Sequence, residues 1–131
     1  MKKVLLIIAL LVSAVSFSKA QGPQGTPAER AAMALERPAL ASLNLTADQK
    51  TKTAALLTKL NTSSDSLIAT ANGDFQSIMP KRAALVAPYE KVFISWLTAD
   101  QKKAYDTALA AAKERNPNAT GILSGGGRPR N

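Results

Sequence analysis

Apolar residues along this chain recur at helical spacing, and no stretch sustains the two-residue alternation of a half-buried strand. The clearest run covers 47–72. There Leu57, Leu60, Ser64, Leu67 and Ala71 step by three and four residues, broadened by Leu56 and Ile68, and Gly73 closes the run. Asp74 supplies a cap for a following helix in which Phe75, Ile78, Arg82, Leu85, Tyr89, Val92 and Trp96 repeat the spacing, flanked by Met79, Val86 and Phe93. Pro80 and Pro88 interrupt this stripe, which predicts a kinked helix or one that starts only near Pro80. Upstream, Thr26-Pro27-Ala28-Glu29 is a capping signature opening a helix over 28–37. Pro38 ends that helix, and a short piece over 39–43 follows. A last helix over 99–115 carries Tyr105, Leu109 and Ala112 on one side and stops at Asn116-Pro117. The two long seams can pair antiparallel across Gly73, so the expected fold is all-α: a thin, kinked helical hairpin with flanking helices.

The N-terminus has a different pattern. Met1-Lys2-Lys3, an apolar run from Val4 to Phe17, and the small residues Ser18 and Ala20 read as a cleavable export signal over 1–20. The run is too short to span a bilayer, so no membrane span is expected after cleavage. Residues 21–25 read as a disordered leader, 26–116 as the helical domain, and 117–131, ending in Gly125-Gly126-Gly127-Arg128-Pro129-Arg130, as a disordered Gly/Arg tail.

Composition narrows the chemistry. Among 131 residues there is no Cys and no His. Zinc sites of the usual ligands, His-based nucleophile systems and disulfides are therefore excluded. Phosphate-binding and dinucleotide loops are absent, so no cofactor, no metal and no catalytic residue is expected. Asp48 and Asp100 are a pair of carboxylates, but each is accounted for by its position in a first helical turn. The net charge is +8. Removing 1–20 takes out Lys2, Lys3 and Lys19 and leaves 14 cationic against 9 anionic residues, or +5, on 111 residues. In an exported protein such charge suits anionic polypeptides or envelope polymers rather than nucleic acid. Leu, Ile, Val and Phe make up only 20 of those 111 residues. That thin apolar inventory favours either partial disorder or a homodimer sharing its apolar surface.

One motif is specific. Leu45-Thr46-Ala47-Asp48-Gln49-Lys50 recurs unchanged 52 positions later as Leu97-Thr98-Ala99-Asp100-Gln101-Lys102. In each copy the Thr can cap a helix, the Gln can reach back to the cap residue's amide, and the Leu before the cap can bury against the preceding helix. The motif reads as a device for turning sharply from one helix into the next.

Paired Leu-Thr-x-x-Gln motifs behind an export signal, on a four-helix pattern, resemble the Spy/CpxP (LTXXQ-motif) family of periplasmic proteins, over roughly residues 26–115. The resemblance implies an antiparallel, cradle-like dimer acting as an ATP-independent chaperone that holds unfolded or partly folded envelope proteins. It also implies an alternative, a periplasmic regulator docking on an envelope-stress sensor kinase. Leu45, Thr46, Gln49, Leu97, Thr98 and Gln101 would then brace the cradle. Holding many sequences requires adaptable apolar contacts ringed by cations. The candidate client-binding residues are Met33, Met79, Val86 and Phe93, surrounded by Arg37, Lys59, Lys81, Arg82 and Lys91. Val86 and Phe93 equally suit a core or dimer contact, and Tyr89 and Trp96 suit packing.

Overall fold

A computed structural model describes residues 25–124. The export signal expected over 1–20, most of the leader and residues 125–131 lie outside the described residues. Among those described there are five helices and no strand: α1 (Pro27–Leu35), α2 (Pro38–Ala41), α3 (Ala47–Ala69), α4 (Phe75–Ser95) and α5 (Ala99–Arg115). Helices α3 and α4 form the antiparallel hairpin, α1 packs along α3, and α2 meets α5. No helix among the described residues is long and apolar enough to cross a membrane.

The helix starts follow local chemistry. Thr26, Thr46 and Thr98 each accept from the amide three residues on, and Glu29, Gln49 and Gln101 each reach back to the cap amide. Asp74 caps α4 by accepting from Ser77 N at 3.3 Å. The hairpin turn uses Asn72 and Gly73 at φ of 47° and 88°, the left-handed region where glycine costs least.

Helix α4 runs unbroken from Phe75 through both prolines to Ser95, starting at the expected Asp74 cap rather than at the alternative start near Pro80. Both prolines are on exposed positions, so each ring projects into solvent, and water can serve the carbonyl four residues back that loses its amide partner. Ile78 is buried as expected, but beyond it the buried face of α4 is displaced from the expected stripe. Val86, Glu90, Phe93 and, just beyond the helix, Leu97 are buried, whereas Phe75 and Val92 are exposed and Leu85, Tyr89 and Trp96 are only partly covered. A shift of one position turns the inward face by about 100°. On α3 the seam has Leu57, Leu60 and Ser64 buried as expected, with Leu67 partly buried and Ala71, just beyond the helix, buried.

The main correction concerns the C-terminal segment. Residues 117–124 were expected to belong to a disordered tail, but Ile122 and Leu123 are 4% and 3% exposed and join the core formed by Leu40, Leu43, Leu57, Val86 and Phe93. After Asn116-Pro117 the chain folds back as a strap across α4. Two adjacent apolar side chains close this strap onto a chain with few others available.

Candidate functional site

The duplicated motif assembles into one object. Gln49 and Gln101 face each other: Gln49 Nε2 donates to Gln101 Oε1 at 2.9 Å, and Gln101 Nε2 donates to Gln49 Oε1 at 2.8 Å. Each Oε1 also accepts from its own cap amide, Thr46 N or Thr98 N, at 3.0 Å. Each Nε2 further donates to the carbonyl two residues before the other motif's cap, Trp96 O at 2.9 Å and Asn44 O at 3.4 Å. Both carboxamides thereby fill two donor and two acceptor positions, their complete capacity. Leu45 and Leu97 are buried beside them.

This lock brings the N-termini of α3 and α5 together, two like partial charges, and Asp48 and Asp100 in the first turns offset them. It also explains why both residues are Gln. Glutamate completes a capping box equally well, as Glu29 does at α1, but carries no donor to cross to a second box. Sequence reasoning found the two boxes but not their pairing. The available signal was the shared Gln, set against Glu in the one box that stands alone.

The strap is held by a buried carboxylate. Glu90, 4% exposed, accepts from Leu123 N through Oε1 at 2.7 Å and from the Tyr105 hydroxyl through Oε2 at 2.9 Å. Burial pushes the Glu90 carboxyl above its ordinary value of 4.5, against the opposing pull of the Leu123 amide, the Tyr105 hydroxyl and the Ile122 amide. Burial, and then the adjacent Glu90 charge, raise the Tyr105 phenol well above its ordinary value, so it stays protonated and donates. The Tyr105 ring packs against Phe93, centroids 6.3 Å apart. Gly121 passes so close to the Glu90 carboxyl that a Cβ there would overlap it.

Four of the nine candidate client-binding residues converge on one cleft of about 160 Å³ between α1, α3, α4 and the strap. Met33 comes from α1, Arg37 from the junction between α1 and α2, and Arg82 from α4, all three exposed, and buried Val86 contributes from below. Arg30 also lines the cleft, though sequence reasoning did not single it out. It forms a two-pronged pair with Asp65, one prong at 3.0 Å, while its buried Nε has no acceptor.

The remaining candidates do not join the cleft. Met79 is 56% exposed one turn beyond Phe75 at 58%, and Lys59, Lys81 and Lys91 are exposed on α3 and α4. Phe93 needs correction as a contact for other molecules: it is completely buried at the centre of the core. Val86, 2% exposed, is likewise a core residue with one side toward the cleft. Both lie on the inward face of α4 because the real seam runs through Glu90. Among the described residues no three His, Cys, Asp or Glu side chains converge to hold a metal ion. Comparison with protein families, with curated proteins and with solved structures finds no match to this chain.

Proposed function

We propose that the protein is a periplasmic holdase that binds unfolded or partly folded envelope proteins without nucleotide, as a homodimer of the cradle kind. The observation that carries this reading is the exposure of large apolar side chains on a chain that also exposes cations. Met33, Phe75 and Met79 each stand more than half exposed on a small helical domain that also exposes Arg37, Lys81 and Arg82. Thioether side chains adapt to varied partners, and cations attract anionic segments over distances that salt shortens. The lock supports the reading from below, because a frame fixed at the helix starts can leave apolar side chains in solvent without collapsing onto them. The export signal read over 1–20 and the resemblance to the LTXXQ-motif family support the periplasmic compartment.

Light scattering of a chemically denatured client diluted into buffer tests the proposal. The chain in molar excess should suppress aggregation at low salt and do so less well as salt rises. Replacing Met33, Phe75 and Met79 together by Ser should weaken suppression while leaving the helical circular dichroism intact. No suppression by the unmodified protein at any ratio would refute the function, and suppression undiminished by the triple variant would refute the surface.

A further inference from the structure

The strap contributes two buried side chains to the core, Ile122 and Leu123, yet it has no helix of its own once α5 ends. At its root a small turn forms on Asn116, whose carbonyl accepts from Ala119 N at 2.8 Å and whose side chain accepts from Asn118 N at 3.1 Å. Its amides meet the helices at one side chain, Glu90: Leu123 N donates to Oε1 at 2.7 Å, with the Ile122 amide beside it. A segment attached in this way opens at lower free energy than the helices beneath it. Opening orphans no buried group, because Glu90 keeps the Tyr105 hydroxyl on Oε2 and water takes the place of the amides at Oε1. The surface uncovered is apolar, since Ile122 and Leu123 belong to one cluster with Leu40, Leu43, Leu57, Val86 and Phe93.

This is the arrangement of a peptide seated in its groove, with the peptide covalently attached. Three elements define what fits: a close approach to the Glu90 carboxyl that leaves no room for a Cβ at Gly121, two apolar seats after it, and a carboxylate that takes the second apolar residue's amide. We propose that the groove under the strap binds a non-helical polypeptide segment of the pattern Gly–apolar–apolar, and that the strap is a built-in competitor which such a segment displaces. The occupant is an unfolded polypeptide rather than a second copy of this chain. A second copy offers the identical segment, and the chain's own strap already supplies it at about millimolar effective concentration. An unfolded polypeptide gains more, because it can reach a second anchor. Phe75 and Glu90 lie 15 positions apart on the continuous helix α4, about 22 Å, which about seven extended residues span. The proposal deepens the holding reading and rests on it for the source of such segments, but the groove uses none of Met33, Phe75 and Met79.

Hydrogen exchange of the full-length parent, in urea below its unfolding transition, tests the opening. The Leu123 amide should exchange through an opening nearly independent of urea, and the Leu57 and Leu60 amides only through one that steepens with urea. Should Leu123 follow Leu57 and Leu60, the strap leaves only when the helices unfold, and the proposal falls. Displacement is tested with the acetylated peptide amide Thr-Gly-Ile-Leu-Ser, the sequence of 120–124, titrated into the ¹⁵N-labelled full-length chain. It should shift the Glu90 and Tyr105 amide signals in a saturable manner. It should also bind Leu123→Ala about tenfold or more tighter than the parent, since a groove open in about a tenth of molecules or fewer binds that much more weakly. The same peptide with Val in place of Gly should not bind. Equal affinity for parent and variant, binding of the Val peptide, or no shift in either protein would overturn the proposal. So would a parent dimer, read by light scattering after size exclusion, that Leu123→Ala disperses, because a second copy's strap would then be the occupant. Aggregation of a denatured client reads holding separately. Failed suppression with displacement intact removes only the source of the segments, and suppression without displacement leaves the exposed side chains as the holding surface and removes the groove.

Discussion

Glu90 is the side chain on which the strap depends, and replacing it separates charge from hydrogen bonding. In Glu90→Ala, the Leu123 amide and the Tyr105 hydroxyl both lose their acceptor inside the protein. A buried donor left unmet costs about 1–3 kcal/mol, so the pair should cost about 2–5 kcal/mol, a large part of the stability of a domain this size. Glu90→Gln keeps an oxygen for Leu123 N and turns an amide donor toward Tyr105, whose hydroxyl can rotate to accept. It also removes a charge from a buried position, so its stability at neutral pH should lie within about 1 kcal/mol of the parent or above it. The pH dependence has a definite sign. Burial raises the folded-state value of Glu90 above the ordinary 4.5, so the folded chain binds the proton more tightly than the unfolded chain. The parent's advantage is therefore fully present below 4.5 and is lost as pH rises through the raised folded value. Urea denaturation followed by circular dichroism from pH 4 to pH 8 measures both effects. The Gln variant should gain on the parent as pH rises through that window, and the gap should close in acid. A Gln variant that loses more than about 2 kcal/mol at neutral pH, or that falls further behind as pH rises, would refute the reasoning.

Three further outcomes follow from the same structure. Gly121→Ala places a methyl group against the Glu90 carboxyl and should cost about 1–3 kcal/mol, with the Leu123 amide losing its protection from hydrogen exchange; unchanged stability and protection would contradict the close approach. Pro80→Ala restores an amide in an exposed helix interior and should raise stability by about 1–2 kcal/mol in urea denaturation, the gain reduced by the freer unfolded chain. Gly73→Ala meets no neighbour but must hold φ near 88°, so it should cost about 1 kcal/mol through the backbone alone.

What the residues disclosed and what they concealed follow from range. Capping is local, and the starts at Thr26, Thr46, Asp74 and Thr98 were legible because donor and acceptor lie three residues apart in the chain. The α3 seam was legible where Leu57 and Leu60 set its spacing and Ser64 continues it, whereas buried Thr53, one turn earlier, carries no apolar signal. The α4 seam was not, since its inward face contains Glu90, and counting apolar residues steers around a carboxylate toward Leu85, Tyr89 and Val92. The partners that make Glu90 tolerable inside, Tyr105 and Leu123, are 15 and 33 residues away. For the same reason 117–124 resembled a tail: small, polar and Pro residues surround its one apolar pair, and Ile122-Leu123 is too short a run to show a period. In the cleft, Met33, Arg37, Arg82 and Val86 were named for their chemistry, but only tertiary structure unites α1 with α4, and Arg30 was hidden because its partner Asp65 sits 35 residues on. The cross-pairing of Gln49 with Gln101 was within reach, since identical boxes with Gln where Glu would serve call for a second donor.

That cross-pairing is what the account stands on, and a double-mutant cycle measures it directly. Gln49→Ala, Gln101→Ala and the double variant, each taken through urea denaturation, give a coupling energy between two side chains 52 residues apart. Two mutual hydrogen bonds in a part-buried setting should give about 1–3 kcal/mol of coupling, the second substitution costing much less than the first. Costs that simply add, to within about 0.5 kcal/mol, would mean that the two motifs are separate helix starts and that no lock frames this protein.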